Sequence, residues 1–277
     1  MGIAALTRRT GGWGGKPCDR LTQQAARRLK NSDHPAPEMR LAVPNEVKVL
    51  SSTAMKTSLD ELAPEFTRAT GNTLSFSFGP SARIAKMAAD GEPHDVAIVT
   101  DQGHVDLTRQ GKLAPGIRAD IAKSAMALAV QQGAPKPDIS SAEKFKATLL
   151  AAKSLGMSNP VGGGQSGQNL IKIFDRLGIT EAMKAKSTYG PGGPAGLIGN
   201  CLVRKEVEIG IQQLPELMAV PGIDIIGPLP PDIQSMTVFS AGLSTAAKNP
   251  DGAKALIKFL TTPAAKAVFR SKGMDVS

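Results

Sequence analysis

The feature that most constrains this 277-residue chain is a change of hydrophobic period shortly after residue 46. Val47, Val49 and Leu50 are apolar and mostly β-branched, which predicts a short buried strand over residues 47–50. The apolar residues of the segment 54–69 recur instead at helical spacing. The change falls on three hydroxyl-bearing residues, Ser51, Ser52 and Thr53. The same order of strand, turn and helix recurs along the chain, so we predict an α/β fold with mainly parallel sheets.

This recurring pattern allows the individual elements to be placed. Strands are predicted at 47–50, 73–78, 95–99, 121–131, 154–158, 186–189, 207–211 and 233–246, and helices at 54–69, 81–90, 102–110, 141–152, 166–177, 195–204, 250–260 and 263–271. The long runs 121–131 and 233–246 are interpreted as two crossings between lobes. One lobe is therefore expected to comprise residues 46–126 and 237–277, and the other residues 127–236.

Residues 1–45 lack the strand–helix pattern and are interpreted as a disordered or weakly helical tail. They hold eight Lys or Arg residues against three acidic ones, so they carry more than half of the formal net charge of +9. Arg8 and Arg9 resemble the start of an export signal, but a glycine-rich segment follows them instead of an apolar core. We therefore expect no signal peptide in the sequence as given.

Composition narrows the classes of ligand. One Trp, one Tyr and eight Phe residues supply few stacking surfaces, which argues against recognition of sugars or of single-stranded nucleic acid. The region after the tail is only mildly basic and has no basic helix with base-reading residues, so no nucleic acid partner is expected. Cys18 and Cys201 belong to no metal-binding motif, so neither a disulfide framework nor a metal site is expected. A small anionic ligand fits this composition better.

Residues 162–167 formally match the glycine pattern of dinucleotide-binding turns. Such a site also needs an acidic residue about twenty positions later, yet the next predicted strand ends with Ser187-Thr188-Tyr189. We therefore expect no cofactor. The glycines allow backbone amides to approach a small anion at the start of the helix 166–177, or they simply form a flexible turn.

The candidate ligand-binding residues lie where predicted strands end and helices begin. In α/β proteins these positions share one crevice, and helix N-termini there attract anions. Hydroxyls in such turns can instead serve only as helix caps, and Gln side chains at a strand end can be ordinary surface polarity. The candidates are Ser51, Ser52, Thr53, Ser81, Gly164, Ser166, Gly167, Ala195, Gln212 and Gln213.

Catalytic signatures are sparse in this sequence. It contains no nucleophile elbow, no zinc-protease motif and no Walker loop. His94 and His104 are expected to cap elements or to face solvent, and Asp95 is expected to hold a turn. Enzyme activity therefore stays uncertain, and we favour a function without catalysis.

Several segments together resemble type II periplasmic solute-binding proteins of the molybdate-binding class. They are VKVLSSTAMKTSLDELAPEF, SFGPSARIAKMAADGEPHDVAI, SNPVGGGQSGQNLIKIFDRLGI, VEIGIQQLPEL and FLTTPAAKAVFRSKG. The resemblance implies a two-lobe fold, with a mainly parallel sheet flanked by helices in each lobe and two crossover strands between them. It also implies that Ser52 and Ser81 are hydroxyl ligands of a small oxyanion. By the same resemblance Ser166 and Ala195 offer amides, and Gln213 takes the place of a tyrosine.

The resemblance further implies a monomeric periplasmic protein that binds a small anion and delivers it to the membrane subunits of an ABC importer. Aconitate isomerase is also similar to this class, so the alternative is a cofactor-free isomerase that acts on a tricarboxylate by allylic proton transfer. That alternative does not require export and is compatible with the cytoplasm. The sequence identifies no base for such a reaction.

Overall fold

The computed structural model describes residues 45–276, so the predicted tail, apart from residue 45, lies outside the described residues. The strands are β1 (Glu46–Ser52), β2 (Thr73–Gly79), β3 (Val96–Thr100), β4 (Leu113–Ser124), β5 (Met126–Gln131), β6 (Leu155–Ser158), β7 (Ser187–Gly190), β8 (Ile209–Gln213), β9 (Ile223–Pro228) and β10 (Thr237–Ser244). The helices are α1 (Lys56–Thr70), α2 (Ser81–Asp90), α3 (Asp101–Arg109), α4 (Ala142–Ala151), α5 (Gln165–Leu177), α6 (Thr180–Lys186), α7 (Ile198–Val203), α8 (Leu214–Met218), α9 (Pro250–Phe259) and α10 (Pro263–Ser271).

These elements form two five-stranded sheets of the same design. The first sheet has the order β2-β1-β3-β10-β4, and the second has the order β7-β6-β8-β5-β9. In each sheet four strands share a direction, and one strand, β10 or β5, is antiparallel to both of its neighbours. The predicted α/β fold with two mainly parallel sheets is confirmed.

Helices cover both faces of each sheet, as strands with little polar surface require. Met126 and Leu128 of β5 pack into one core with α4, α5 and α6, whereas Ala127 and Ala129 point to the opposite face, towards α7 and α8. The central strands of the first sheet are buried in the same way, between α1, α9 and α10 on one face and α2 and α3 on the other. This two-sided burial leaves the strand ends as the places where polar side chains can converge.

The chain passes between the sheets next to Ala125. We predicted one strand over residues 121–131, but this is wrong, because β4 ends at Ser124 in the first sheet and β5 begins at Met126 in the second. The carbonyl oxygen of Ala125 accepts a hydrogen bond from the amide of Leu214 at 2.9 Å, which ties this passage to α8. The lobe boundaries given above stay a prediction, although Met126 already belongs to a strand of the second sheet.

Other elements differ from the sequence-based prediction near short or irregular segments. The helix predicted at 195–204 is shorter, because Pro194–Gly196 forms a 3-10 turn and α7 starts at Ile198. The strand predicted at 233–246 begins only at Thr237. The elements α6, α8 and β9 were not predicted; α8, for example, spans five residues and is too short to show a helical period.

Asp95 anchors the turn between the first sheet and α9, as the sequence analysis expected of it. Its carboxylate accepts hydrogen bonds from the backbone amides of Lys48 at 2.8 Å, Lys248 at 2.7 Å and Asn249 at 2.9 Å. The residue is buried, with 3 % of its surface exposed. Three donors satisfy the charge of this buried group, so its role is structural.

No helix among residues 45–276 combines the length and the apolar content needed to cross a lipid bilayer.

Candidate functional site

A cavity of about 40 Å³ lies between the two sheets, at the carboxyl ends of their parallel strands. The segments that follow β1, β2, β6, β7 and β8 all reach it, which is where ligands collect in open α/β sheets. It is lined by Ser52, Thr53, Ala54, Gly79, Pro80, Ser81 and Phe239 from the first sheet and its helices, and by Ser158, Asn159, Gly162, Gly164, Gln165, Ser166, Pro191, Gly192, Gly193, Gln212, Gln213 and Glu216 from the second. We call this cavity the cleft.

Two serine hydroxyls form the first-sheet side of the cleft. The Oγ atoms of Ser52 and Ser81 are 2.8 Å apart, which joins the end of β1 to the start of α2. Ser52 makes no capping hydrogen bond, and Pro80 rather than Ser81 is the N-cap of α2. The hydroxyls therefore do not serve as the side-chain caps that the alternative interpretation required. Thr53 Oγ1 is buried beside them and has no hydrogen-bond partner among the described residues.

The second-sheet side repeats this arrangement. The hydroxyl of Ser166, in the first turn of α5, donates to Ser158 Oγ at 3.0 Å, and Ser158 is the last residue of β6. A pair of serines thus joins a strand end to a helix start on each side of the cleft. The first amides of α2 and α5 have no intrahelical acceptors, so both helices present donors near these pairs.

The glycine-rich loop before α5 is held by its own hydrogen bonds. Asn159 Oδ1 accepts from the amides of Val161 and Gly162, both at 3.0 Å, and the Asn159 carbonyl oxygen accepts from the amide of Gly164 at 2.9 Å. The amide of Gly164 is therefore already used, although the residue lines the cleft. Asn159 was not among the predicted residues, but an Asn that starts a glycine-rich turn is the sequence signal for such a loop.

The two glutamines at the end of β8 are buried in the cleft wall. Gln212 Oε1 accepts from the amide of Ile198 at 2.8 Å and so caps α7. Gln213 Nε2 donates to Thr237 Oγ1 at 2.8 Å, while Gln213 Oε1 has no partner among the described residues. Gln213 is only 3 % exposed, so the unpaired amide atom is costly unless another group satisfies it.

Three of the predicted residues do not line the cleft. Ser51 is fully buried, and its hydroxyl donates to the carbonyl oxygen of Ser52 at 3.3 Å. A Cβ atom on Gly167 would lie 2.0 Å from the carbonyl oxygen of Ser158, so this glycine allows α5 to pack against the end of β6. Ala195 is exposed in the 3-10 turn, and its neighbours Gly192 and Gly193 line the cleft instead.

Among residues 45–276, Glu216 is the one charged residue that lines the cleft, and it was not among the predicted residues. Burial of its carboxyl raises the pKa to about 8, and a hydrogen bond from the backbone of Gln213 opposes this rise only in part. The available signal was the order Leu214-Pro215-Glu216 directly after a predicted strand, because Pro and Glu are typical of the first helical turn. Among residues 45–276, no cluster of three or more His, Cys, Asp or Glu side chains could hold a metal ion.

The two sides of the cleft touch at its rim. The amide of Ala82, in the first turn of α2, donates to the carbonyl oxygen of Gly163 at 3.2 Å. Gly192 approaches Pro80 so closely that a Cβ atom on Gly192 would lie 2.8 Å from Pro80 Cγ. Both glycines have positive φ, 87° for Gly163 and 81° for Gly192. These contacts enclose the cleft.

The two histidines named above lie away from the cleft. They were expected to cap elements or to face solvent, and they do not face solvent, because His94 is 7 % exposed and His104 is 4 % exposed. His94 Nδ1 is 2.6 Å from the carbonyl oxygen of Glu92. His104 packs against Gly242 of β10, whose added Cβ would meet its Nε2 at 2.6 Å. Neither imidazole is placed to act on a molecule in the cleft.

The relationship to known proteins follows from a match along almost the whole described chain. The sequence model of the bacterial extracellular solute-binding protein family matches residues 47–275. The chain belongs to this family. This solute-binding protein is 37 % identical over 227 residues to an aconitate isomerase from Pseudomonas sp, a match that covers 79 % of this chain and 84 % of the relative.

A second relative is the molybdate-binding protein ModA of Azotobacter vinelandii, 24 % identical over 235 residues, which are 82 % of this chain and 89 % of the relative. Among solved structures, the periplasmic molybdate-binding protein of Azotobacter vinelandii matches with a TM-score of 0.69 and 19 % identity, over 83 % of this chain and 99 % of that chain. The predicted type II periplasmic-binding fold of the molybdate-binding class is confirmed.

Proposed function

We propose that this solute-binding protein holds a small anion in the cleft, as the substrate-binding component of an ABC importer. The observation that carries the proposal is the pair of matching serine dyads, Ser52 with Ser81 and Ser158 with Ser166, which face one enclosed cavity from two separate sheets. Hydroxyls and helix-start amides bind oxyanions without adding a counter-charge.

Unpaired polar atoms at the cleft support a polar ligand. Thr53 Oγ1 and Gln213 Oε1 are buried, belong to lining residues and lack partners among the described residues. Buried polar groups in native proteins nearly always have a hydrogen-bond partner. An anion in the cleft would accept a hydrogen bond from Thr53 Oγ1, whereas Gln213 Oε1, itself an acceptor, requires an O–H or N–H donor. The anion would also be reached by the first turns of α2 and α5.

Transport is supported by family membership. The match to bacterial extracellular solute-binding proteins and the similarity to ModA favour delivery of the bound anion to the membrane subunits of an ABC importer. We propose a periplasmic location and a monomer, with no nucleic acid partner. Fractionation of the native cells checks the location, and light scattering checks the monomer.

The ligand is tested by thermal unfolding in the presence of molybdate, tungstate, sulfate, citrate, cis-aconitate and trans-aconitate. An anion present at one hundred times its dissociation constant should stabilise the protein by about 2.7 kcal/mol. Isothermal titration then measures the affinity and the number of sites. If none of these anions stabilises the protein, the proposed function is wrong.

The second candidate is an isomerase acting on a tricarboxylate, and two observations favour it. One is the identity of 37 % to an aconitate isomerase. The other is Glu216, an acid with a pKa near neutrality inside the cleft. In an allylic shift, one base takes a proton from the carbon next to the double bond, the double bond moves, and the proton returns at the far carbon.

Glu216 is the group in the described cleft that can carry this proton in both directions. The test is conversion of cis-aconitate to trans-aconitate, followed by ultraviolet absorbance and chromatography. We expect Glu216→Gln to abolish conversion while the anion still binds. An unchanged rate in Glu216→Gln, or no conversion by the parent protein, contradicts this candidate.

A further inference from the structure

Glu216 lines two cavities of the described structure. One is the cleft, and the other is a neighbouring cavity of about 190 Å³. Thr53, which follows β1, lines both cavities together with Glu216. Glu216 as a residue retains partial exposure, while burial of its carboxyl disfavours the charged form. A molecule that fills the cleft therefore lies beside Glu216.

No cation among the described residues neutralises Glu216. Lys56 lines the neighbouring cavity, but its ammonium pairs with Asp60 and lies 5.1 Å from the ring centroid of Phe78. At the end of α10, the turn at Gly273 packs against α8, and the adjacent Lys272 pairs with Glu61. Both nearby cations therefore already have carboxylate partners, and Glu216 lacks a counter-ion.

The protonation of Glu216 decides what the cleft can accept. An ionised carboxylate would repel an anion a few ångströms away in a site with little water, whereas a protonated carboxyl supplies one more O–H donor. We propose that Glu216 faces the bound anion as a neutral carboxylic acid and donates a hydrogen bond to it. This inference rests on the proposed function and adds a group that selects among anions.

A neutral Glu216 selects among anions by the hydrogen-bond donors and acceptors that each anion presents to its carboxyl group. A neutral Glu216 favours an anion that is fully ionised and presents an acceptor oxygen at this point, such as molybdate, sulfate or an ionised carboxylate. It disfavours an anion that keeps a proton there, because two O–H groups would then face each other. Ionisation of Glu216 removes the donor and introduces a repulsive charge.

The enclosed carboxyl also sets the pH range in which this selection operates. Burial raises the pKa of Glu216 to about 8. With that value, roughly nine-tenths of the molecules carry the proton at pH 7 and roughly one-tenth at pH 9. Binding that needs the proton should therefore weaken about tenfold between these two pH values.

The test measures molybdate and trans-aconitate binding by isothermal titration at pH 7 and pH 9, where the charges of both probes are constant. The proteins are the parent, Glu216→Gln, which keeps a neutral donor, and Glu181→Gln, which changes an exposed glutamate on α6. We expect affinity to fall about tenfold with pH in the parent and in Glu181→Gln. Glu216→Gln should bind with nearly the same affinity at both pH values.

The possible outcomes separate this inference from the proposed function. If the probes bind but the parent shows no pH dependence, or Glu216→Gln keeps the same pH dependence, the role of Glu216 is wrong and the proposed function stands. If neither probe binds any of the proteins at either pH, the role of Glu216 is wrong, and the proposed function is then decided by the other anions of the thermal-unfolding screen. Should Glu216→Gln fail to fold, Glu216→Met is used in its place and should also lose the pH dependence.

Discussion

The backbone amide of Ala82 donates a hydrogen bond to the carbonyl oxygen of Gly163 at 3.2 Å, and this bond joins the two sheets across the cleft. Ala82 lies in the first turn of α2, and Gly163 lies in the loop before α5. The same two helices carry Ser81 and Ser166. Closure of the rim and placement of the hydroxyls therefore depend on the same helix starts.

The approach of Gly192 to Pro80 predicts that Gly192→Ala weakens anion binding. An added Cβ would lie 2.8 Å from Pro80 Cγ, so the rim must open slightly, and we expect a loss of roughly 1–3 kcal/mol in binding free energy. Gly193→Ala is the matched control, because Gly193 also has a positive φ, of 68°, but an added Cβ there meets nothing within 4 Å. Isothermal titration with molybdate or trans-aconitate measures both variants. Equal losses in the two variants would show that backbone strain, rather than rim contact, is responsible.

We predict that removing the hydroxyl of either Ser52 or Ser81 lowers the affinity for the anion. Ser52→Ala and Ser81→Ala should each weaken binding by roughly 1.5–3 kcal/mol, the range for a hydrogen bond to a charged group. Because the two hydroxyls are hydrogen-bonded to each other, the double variant should lose less than the sum. The control is Ser77→Ala, which changes an exposed serine of β2. Variants that bind as tightly as the parent but melt at a lower temperature would assign the dyad to folding alone.

We predict that removing the Asp95 carboxylate lowers the stability of the protein without weakening anion binding. Asp95→Ala leaves three buried backbone amides without their acceptor, at Lys48, Lys248 and Asn249, so the free energy of unfolding should fall by roughly 2–4 kcal/mol. The exposed pair of Asp90 with Lys86 provides the comparison, and Asp90→Ala should cost less than about 1 kcal/mol. Urea denaturation measures both. Equal midpoints for the two variants would contradict the structural role of Asp95.

We predict that His104 makes the stability of the protein depend on pH below about pH 6.5. Burial and the nearby Arg118 guanidinium lower its pKa below 6.5, while Asp120 opposes this effect. A folded state that disfavours the charged imidazole binds fewer protons there than the unfolded state, so the contribution of His104 to stability is complete above about pH 6.5 and falls as the pH decreases. This contribution should be absent in His104→Gln, so the difference in unfolding free energy between the two proteins should change with pH. Unfolding free energies of the two proteins between pH 7.5 and pH 4.5 test this, and a difference that stays constant with pH would refute it.

Much of the fold was predictable from the sequence because long strands and helices leave clear periods. Residues 81–90 and 263–271 were placed as helices with the bounds that the structure has. The break at Ala125 was not predicted, because residues 121–131 form one largely apolar run although its two halves belong to different sheets. Short elements such as α8 carry too few residues to show a period.

The cleft was predictable only in part, and the reason is physical. Ser52, Ser81 and Ser166 follow the rule that strand ends and helix starts converge, which the sequence order shows. Glu216 becomes distinctive only when the other sheet covers it and its carboxyl loses water. The packing role of Gly167 likewise depends on its distance from Ser158, which no spacing in the sequence encodes.

The position of β10 between β3 and β4 has a consequence for synthesis of the chain. All strands of the second sheet lie within residues 126–228, so they leave the ribosome before residue 237, where β10 begins. Among the described strands, β10 is the single neighbour of β4, so until then β4 has no partner strand in its sheet. We therefore expect the second sheet to be completed before the first, although its strands are synthesised after β1 to β4. A nascent chain stalled before residue 237 would then hold one finished sheet and one with an unfilled gap.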